Sequence, residues 1–231
     1  MAIRQRAIQA EDKQERRDAI LDAAEQVLAD APERVASVAE VASRAGLAKG
    51  TVYLYFPGKE ELLLAVHERW VEGFFHDLIA LVESEPGVDF DAVFALARIH
   101  LIDPPLFMPL AARCFGLMAH SLAPASVLAF KQRMAARMER AGAGVERHFP
   151  APGAAPGLEP ARGVAMLRRS YALTLGLWQM SATAGSGACC TMAGPQLPAA
   201  FAWHYPTELE AALRTLWRGM IGSAASEVTL L

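Results

Sequence analysis

The chain has 231 residues, 53% of them hydrophobic and 20% charged, with a formal net charge of −3. That balance fits a folded globular protein with one large core or two modest ones, and it excludes a collagen, a mucin-like stalk and a chain disordered throughout. Cys114, Cys189 and Cys190 make neither an even disulfide framework nor a paired set for structural zinc, so a reducing cytoplasm is the expected compartment.

In chain order, Arg4 and Arg6 are followed by Glu11, Asp12 and Lys13, where a signal peptide would be apolar. The two arginines read as a disordered tail or as a minor-groove arm. From Lys13 to Asp30, Ile20, Ala24, Val27 and Leu28 recur at helical spacing on one face, and Pro32 closes this first helix. Ser37-Val38-Ala39-Glu40 has the Ser-x-x-Glu form of a capping box and opens a short second helix to Ala45. Gly46 suits a left-handed helix end, with Leu47 packing back, and Lys49 to Phe56 forms a third short helix stopped by Pro57-Gly58. A long helix then runs from Lys59 or Glu60 to Glu83 and ends before Pro86-Gly87.

Beyond it, helices are expected over Asp91–Ile102, Phe107–Ser121, Ala125–Arg147 and Gly163–Ala184, separated by prolines and by a Pro/Gly/Ala-rich loop over Phe149–Pro160. Arg133, Arg137 and Arg140 fall on one solvated side of the third of these. Thr207-Glu208-Leu209-Glu210 reads as a second capping box, opening a last helix to Gly222. The apolar run from Ser170 to Cys190 is diluted by Gln179, Ser181, Thr183, Gly185 and Gly187, so it reads as a buried helix rather than a membrane span. No alternating strand pattern competes, and the fold class is all-α.

The unit from Ser37 to Phe56 has the two short helices and glycine turn of a helix-turn-helix. Between Val41 and Lys59 the only charges are Arg44, Lys49 and Lys59, a local +3 in a chain of −3. Phosphate attraction is therefore concentrated there. The run Ala45-Gly46, Lys49-Gly50-Thr51, Tyr53-Leu54-Tyr55-Phe56 and Lys59-Glu60-Glu61-Leu62 resembles the DNA-binding signature of TetR/AcrR-family transcriptional regulators, over roughly the first 70 residues. Ala48, where the family often has a capping Ser or Thr, and Gly58, where Ser or Asn is usual, depart from the pattern.

The resemblance implies an N-terminal three-helix DNA-binding domain over residues 1–60 and a C-terminal effector-binding and dimerisation domain over 61–231. Ser37 would cap its helix and bind phosphate. Lys49, Gly50, Thr51, Tyr53 and Leu54 would face the major groove, while Tyr55 and Lys59 clamp the backbone. Arg44 reads equally as a phosphate contact or a solvated helix charge. Val38, Val41, Ala42, Ala45, Leu47, Val52 and Phe56 read as the core of the unit.

Trp70, Phe74, His100, Phe107, Phe115, Met118, Tyr171 and Trp178 are candidates to line an effector pocket, where their large adaptable groups suit an aromatic or lipophilic ligand. The last two helices, with a stripe of Leu209, Leu213, Leu216 and Met220, are the expected homodimer interface. Cys189 and Cys190 have no nearby cation to activate a thiolate, and the six histidines lack metal-ligand spacing, so neither a metal nor a cofactor is expected. The function expected is a repressor released from a palindromic operator by a small effector. An activator or a regulator gated by a protein partner is the alternative, and no phosphate loop or nucleophile elbow supports an enzyme.

Overall fold

A computed structural model describes residues 2–31, 34, 36–84, 86–150, 161–185 and 204–222. Among these it contains nine α-helices and no strand: α1 (Ala2–Asp30), α2 (Val38–Arg44), α3 (Lys49–Tyr55), α4 (Lys59–Ser84), α5 (Phe90–Ala97), α6 (Phe107–His120), α7 (Pro124–His148), α8 (Arg162–Gly185) and α9 (Tyr205–Gly222). The helical expectation therefore holds, with three local corrections.

The first correction is at the N-terminus. α1 starts at Ala2 rather than near Lys13, so Arg4 and Arg6 sit on a helix and not on a tail. Residues 2–17 are rich in Ala, Arg, Gln, Glu and Lys, all good helix formers. The second concerns the end of α5, where Arg98–Ile102 winds as a π-helical turn and the Asp103 N–H closes on the Arg98 carbonyl at 2.9 Å. Pro104 and Pro105 offer no N–H to continue a regular ladder.

The third correction is at α9, which begins at Tyr205, two residues before the expected cap. Pro206 is tolerated in a first turn, where its missing N–H would be unsatisfied in any case. Thr207 is then inside the helix with its hydroxyl 2.9 Å from His204 Nδ1, and Glu210 accepts from Arg214 instead of closing a capping box.

Two compact units emerge, Met1–Trp70 with Pro105–Leu128, and Val71–Pro104 with Ala129–Leu231. In the first, Ile20, Leu21, Val27, Val41, Val52, Leu62 and Val66 are buried by their periodic faces, together with Phe107, Met108 and Cys114 of α6. In the second, α5, α8 and α9 meet around Phe94, Leu209 and Leu213, with Phe90, Leu173, Leu177 and Leu216 packed against them. Trp217 donates its indole N–H to Ser170 Oγ at 2.8 Å, and Tyr205 donates to the Thr174 carbonyl at 3.1 Å.

Leu209 and Leu213 are thus core residues of their own chain, which corrects their assignment to an exposed dimer stripe. A stripe on a terminal helix satisfies the periodicity of either role. Arg137 and Arg140 of α7 are likewise not simply solvated, because they pair with Glu72 (2.9 Å) and Glu83 (2.7 Å) of α4. No single described helix is long and apolar enough to cross a membrane.

Candidate nucleic-acid interface

The geometry of the reading head starts at Ser37. Its hydroxyl accepts from the Glu40 N–H (3.3 Å), while its own N–H (3.0 Å) and O–H (2.8 Å) donate to the Glu40 carboxylate, which closes the capping box. Arg34 adds two further donors to the same carboxylate, at 2.8 and 2.5 Å. The Arg34 guanidinium first, and then the Ser37 N–H, hold the Glu40 carboxyl down to about 2.

α2 ends on a six-residue motif that turns the chain sharply. Gly46 takes φ +67°, the Leu47 N–H reaches back to the Ala42 carbonyl (2.9 Å) and the Gly46 N–H to that of Ser43 (3.2 Å). Only a residue without a Cβ adopts that φ at no cost, so the sequence fixes the angle between α2 and α3 here. α3 follows, with Ala48 at its N-cap supplying no side-chain hydrogen bond.

One face of α3 packs inward through the fully buried Val52, and Phe56 beyond it is 3% exposed. The other face stands in solvent. Leu54 is 82% exposed and Tyr53 43%, with Lys49 and Gly50 exposed beside them and Thr51 and Tyr55 at the flanks. An exposed apolar side chain such as Leu54 is of the kind that can meet a thymine methyl in a major groove. A Cβ added at Gly50 would meet nothing within 4 Å, so packing within the head does not require a glycine there.

Two family models match the chain, one described as "Bacterial regulatory proteins, tetR family" over residues 20–66, which holds this head, and one as "Tetracyclin repressor-like, C-terminal domain" over residues 68–224. The chain belongs to the TetR family. It is therefore a DNA-binding transcriptional regulator and not an enzyme. It is also similar to the fatty acid metabolism regulator protein of Bacillus subtilis (strain 168), 43% identical over 47 residues. That match covers 20% of this chain and 24% of the relative.

Within this TetR-family head, the cations are not equally available. Lys49 Nζ lies 5.7 Å from the centroid of the Tyr53 ring, charged and exposed. Arg44 is instead bound to Asp30 of α1 at 2.5 Å, and Lys59 lies 3.8 Å from Glu60. Arg44 thus pins α2 to α1, a role its sequence neighbours do not reveal because Asp30 is fourteen positions away.

A further brace joins α1 to α4. Arg69 reaches Asp22 (2.6 Å) and Glu25 (2.8 Å), and the Trp70 indole donates to Glu25 at 2.7 Å. The sequence reading missed Asp22, Glu25 and Arg69, since polar residues more than forty positions apart carry no periodic signal. Trp70 faces Phe107 at 6.4 Å, and Phe107 faces the buried His67 at 5.6 Å. Burial pushes the His67 imidazole down to about 4.

Of the pocket candidates, Trp70, Phe107, Phe115 and Met118 lie in the first unit, and Phe74, His100, Tyr171 and Trp178 in the second. Trp70 and Phe107 are brought together. So are Phe74 and His100, whose rings meet edge-on at 6.4 Å while His100 Nε2 sits 2.8 Å from Asp77. Phe115 is 45% exposed. Cys189 and Cys190 lie outside the described residues, and among the described residues no cluster of His, Cys, Asp and Glu has the makings of a metal site. Cys114 is buried, and that burial pushes its thiol up to about 12.

Proposed function

We propose that this regulator is a homodimeric, cytoplasmic repressor released from a palindromic operator by a small lipophilic or aromatic effector. Residues 1–60 serve as the DNA-binding domain and 61–231 as the effector and dimerisation domain. α3 lies in the major groove, where Lys49, Gly50, Thr51, Tyr53 and Leu54 approach base edges. Ser37, Tyr55 and Lys59 fix the backbone, and Arg44 joins them only by leaving Asp30. A dimer places two such helices roughly 34–36 Å apart on successive grooves.

The observation that carries the reading is the Trp70–Glu25 hydrogen bond. It ties an aromatic cluster of the kind that receives apolar ligands to α1, the helix that braces α2 through Asp30 and Arg44. An effector that repacks Trp70 against Phe107 changes what α1 is fastened to, and with it the posture of α3. The similarity to the Bacillus regulator covers only 20% of this chain, so the effector's chemistry is left to the aromatic candidates. Dimerisation uses α8 and α9 through the faces turned away from Leu209 and Leu213.

The test is fluorescence anisotropy on the intergenic DNA upstream of the gene, against scrambled duplex, at two salt concentrations, followed by a screen for compounds that release the DNA. Selective binding with a steep salt slope, reversed by an apolar compound, is the expected result. Release only by charged hydrophilic compounds would sink the effector assignment. Effector and operator must weaken each other by the same factor.

A further inference from the structure

Four cations of the first unit are paired within the fold: Arg34 with Glu40, Arg44 with Asp30, Lys59 with Glu60, and Arg69 with Asp22 and Glu25. Arg17 of α1 is held differently. Its guanidinium carbon stands 5.3 Å from the centroid of Phe56, the residue that caps the C-terminal end of α3, and among the described residues it forms no ion pair. Asp18, its neighbour in sequence, accepts instead from Gln14 at 3.0 Å.

The Phe56 ring is buried, so it seats the guanidinium without cancelling its charge. Lys49 is placed in the same manner over Tyr53 near the start of α3. Two cations, each resting on a ring and neither paired with a carboxylate, therefore bracket the reading helix. A phosphate contact by either cation breaks no internal ion pair, and the Arg17 guanidinium offers a planar donor fork that matches a phosphate.

We propose that Arg17 contacts the operator's phosphate backbone at the C-terminal end of α3 and thereby helps to set the register of that helix in the groove. The proposal rests on the reading that α3 enters the major groove. It adds α1 to the DNA-contacting surface, beyond the helix-turn-helix itself.

The experiment measures the salt dependence of binding to a fluorescein-labelled duplex of the upstream intergenic sequence, with the full-length protein, R17Q, R17K and a control, K131Q, on exposed α7. Thermal melts are recorded for each. R17Q is expected to bind about tenfold more weakly, with a salt slope lower by about 0.9 for each bound protomer. R17K restores the slope and K131Q leaves it unchanged. An R17Q slope equal to that of the unsubstituted protein overturns the proposal whatever the affinity, since a loss of folded protein shifts the apparent midpoint by one factor at every salt concentration and leaves the slope unchanged. A reduced slope that R17K does not recover also overturns it, because packing on Phe56 would then be the cause. If the unsubstituted protein itself shows no salt-dependent binding, the docking of α3 fails together with the proposal.

Discussion

At the residue scale, glycines separate folding from function. Gly163 and Gly142 let α7 and α8 touch: a Cβ at Gly163 would stand 2.1 Å from the Gly142 carbonyl oxygen, which is backbone and unable to move aside. G163A is expected to destabilise the protein by about 1–3 kcal/mol, read as a fall in thermal midpoint. Gly50 is the opposite case, with open space around it. G50A is expected to leave the fold intact or to stabilise it by about 0.5–1 kcal/mol, because alanine is the better helix former. The same variant is expected to bind operator more weakly, since the added methyl occupies the space where α3 approaches the groove. Equal affinity for G50A and the unsubstituted protein in the anisotropy assay would remove Gly50 from the contact surface.

At the scale of elements, the first unit is fastened by ion pairs between its helices and holds one buried imidazole on α4, and both respond to acid. His67 has its folded pKa depressed from 6.5 to about 4 by burial, so its contribution to stability is present above pH 6.5. As pH falls from 6.5 to 4 the unfolded chain takes up a proton that the folded chain refuses. The cost over that window is roughly 3 kcal/mol. Replacing the imidazole by a group that does not titrate, as in H67L, is expected to flatten the limb between pH 6.5 and 4 in urea-unfolding curves. A lower limb persists, because the Glu40 carboxyl is held down to about 2 by Arg34 and Ser37, and its contribution, present above pH 4.5, is lost as pH falls from 4.5 through about 2. An unchanged limb between 6.5 and 4 in H67L would show that another group carries it.

On the scale of the whole molecule, the prediction concerns assembly and coupling. Light scattering at micromolar concentration is expected to give twice the 24.9 kDa chain mass, and a monomer there would defeat the placing of two recognition helices on one operator. E25Q keeps the size of the side chain at the Trp70 bond but removes the charge that Arg69 uses. It is expected to bind operator with little change and to lose at least part of the release by effector, because the link between the aromatic cluster and α1 is weakened. Full release in E25Q would separate the aromatic cluster from the switch.

The sequence alone determined the helical class, the α2 capping box, the left-handed turn at Gly46 and the short third helix that follows it. Those features are local: a cap, a positive φ and a 3.6-residue period are satisfied within a few positions of one another. It did not determine that Arg44 pairs with Asp30, that Glu25 holds both Arg69 and Trp70, or that Arg17 rests on Phe56. Nor did it tell Leu209 and Leu213 of the core from an outward-facing stripe, since one periodicity serves both ends. Partners from fourteen to more than forty positions apart meet only after helices pack, and a charge or an apolar stripe carries no mark of the neighbour it will find. Tertiary structure therefore decided which cations of the described residues are paired within the fold.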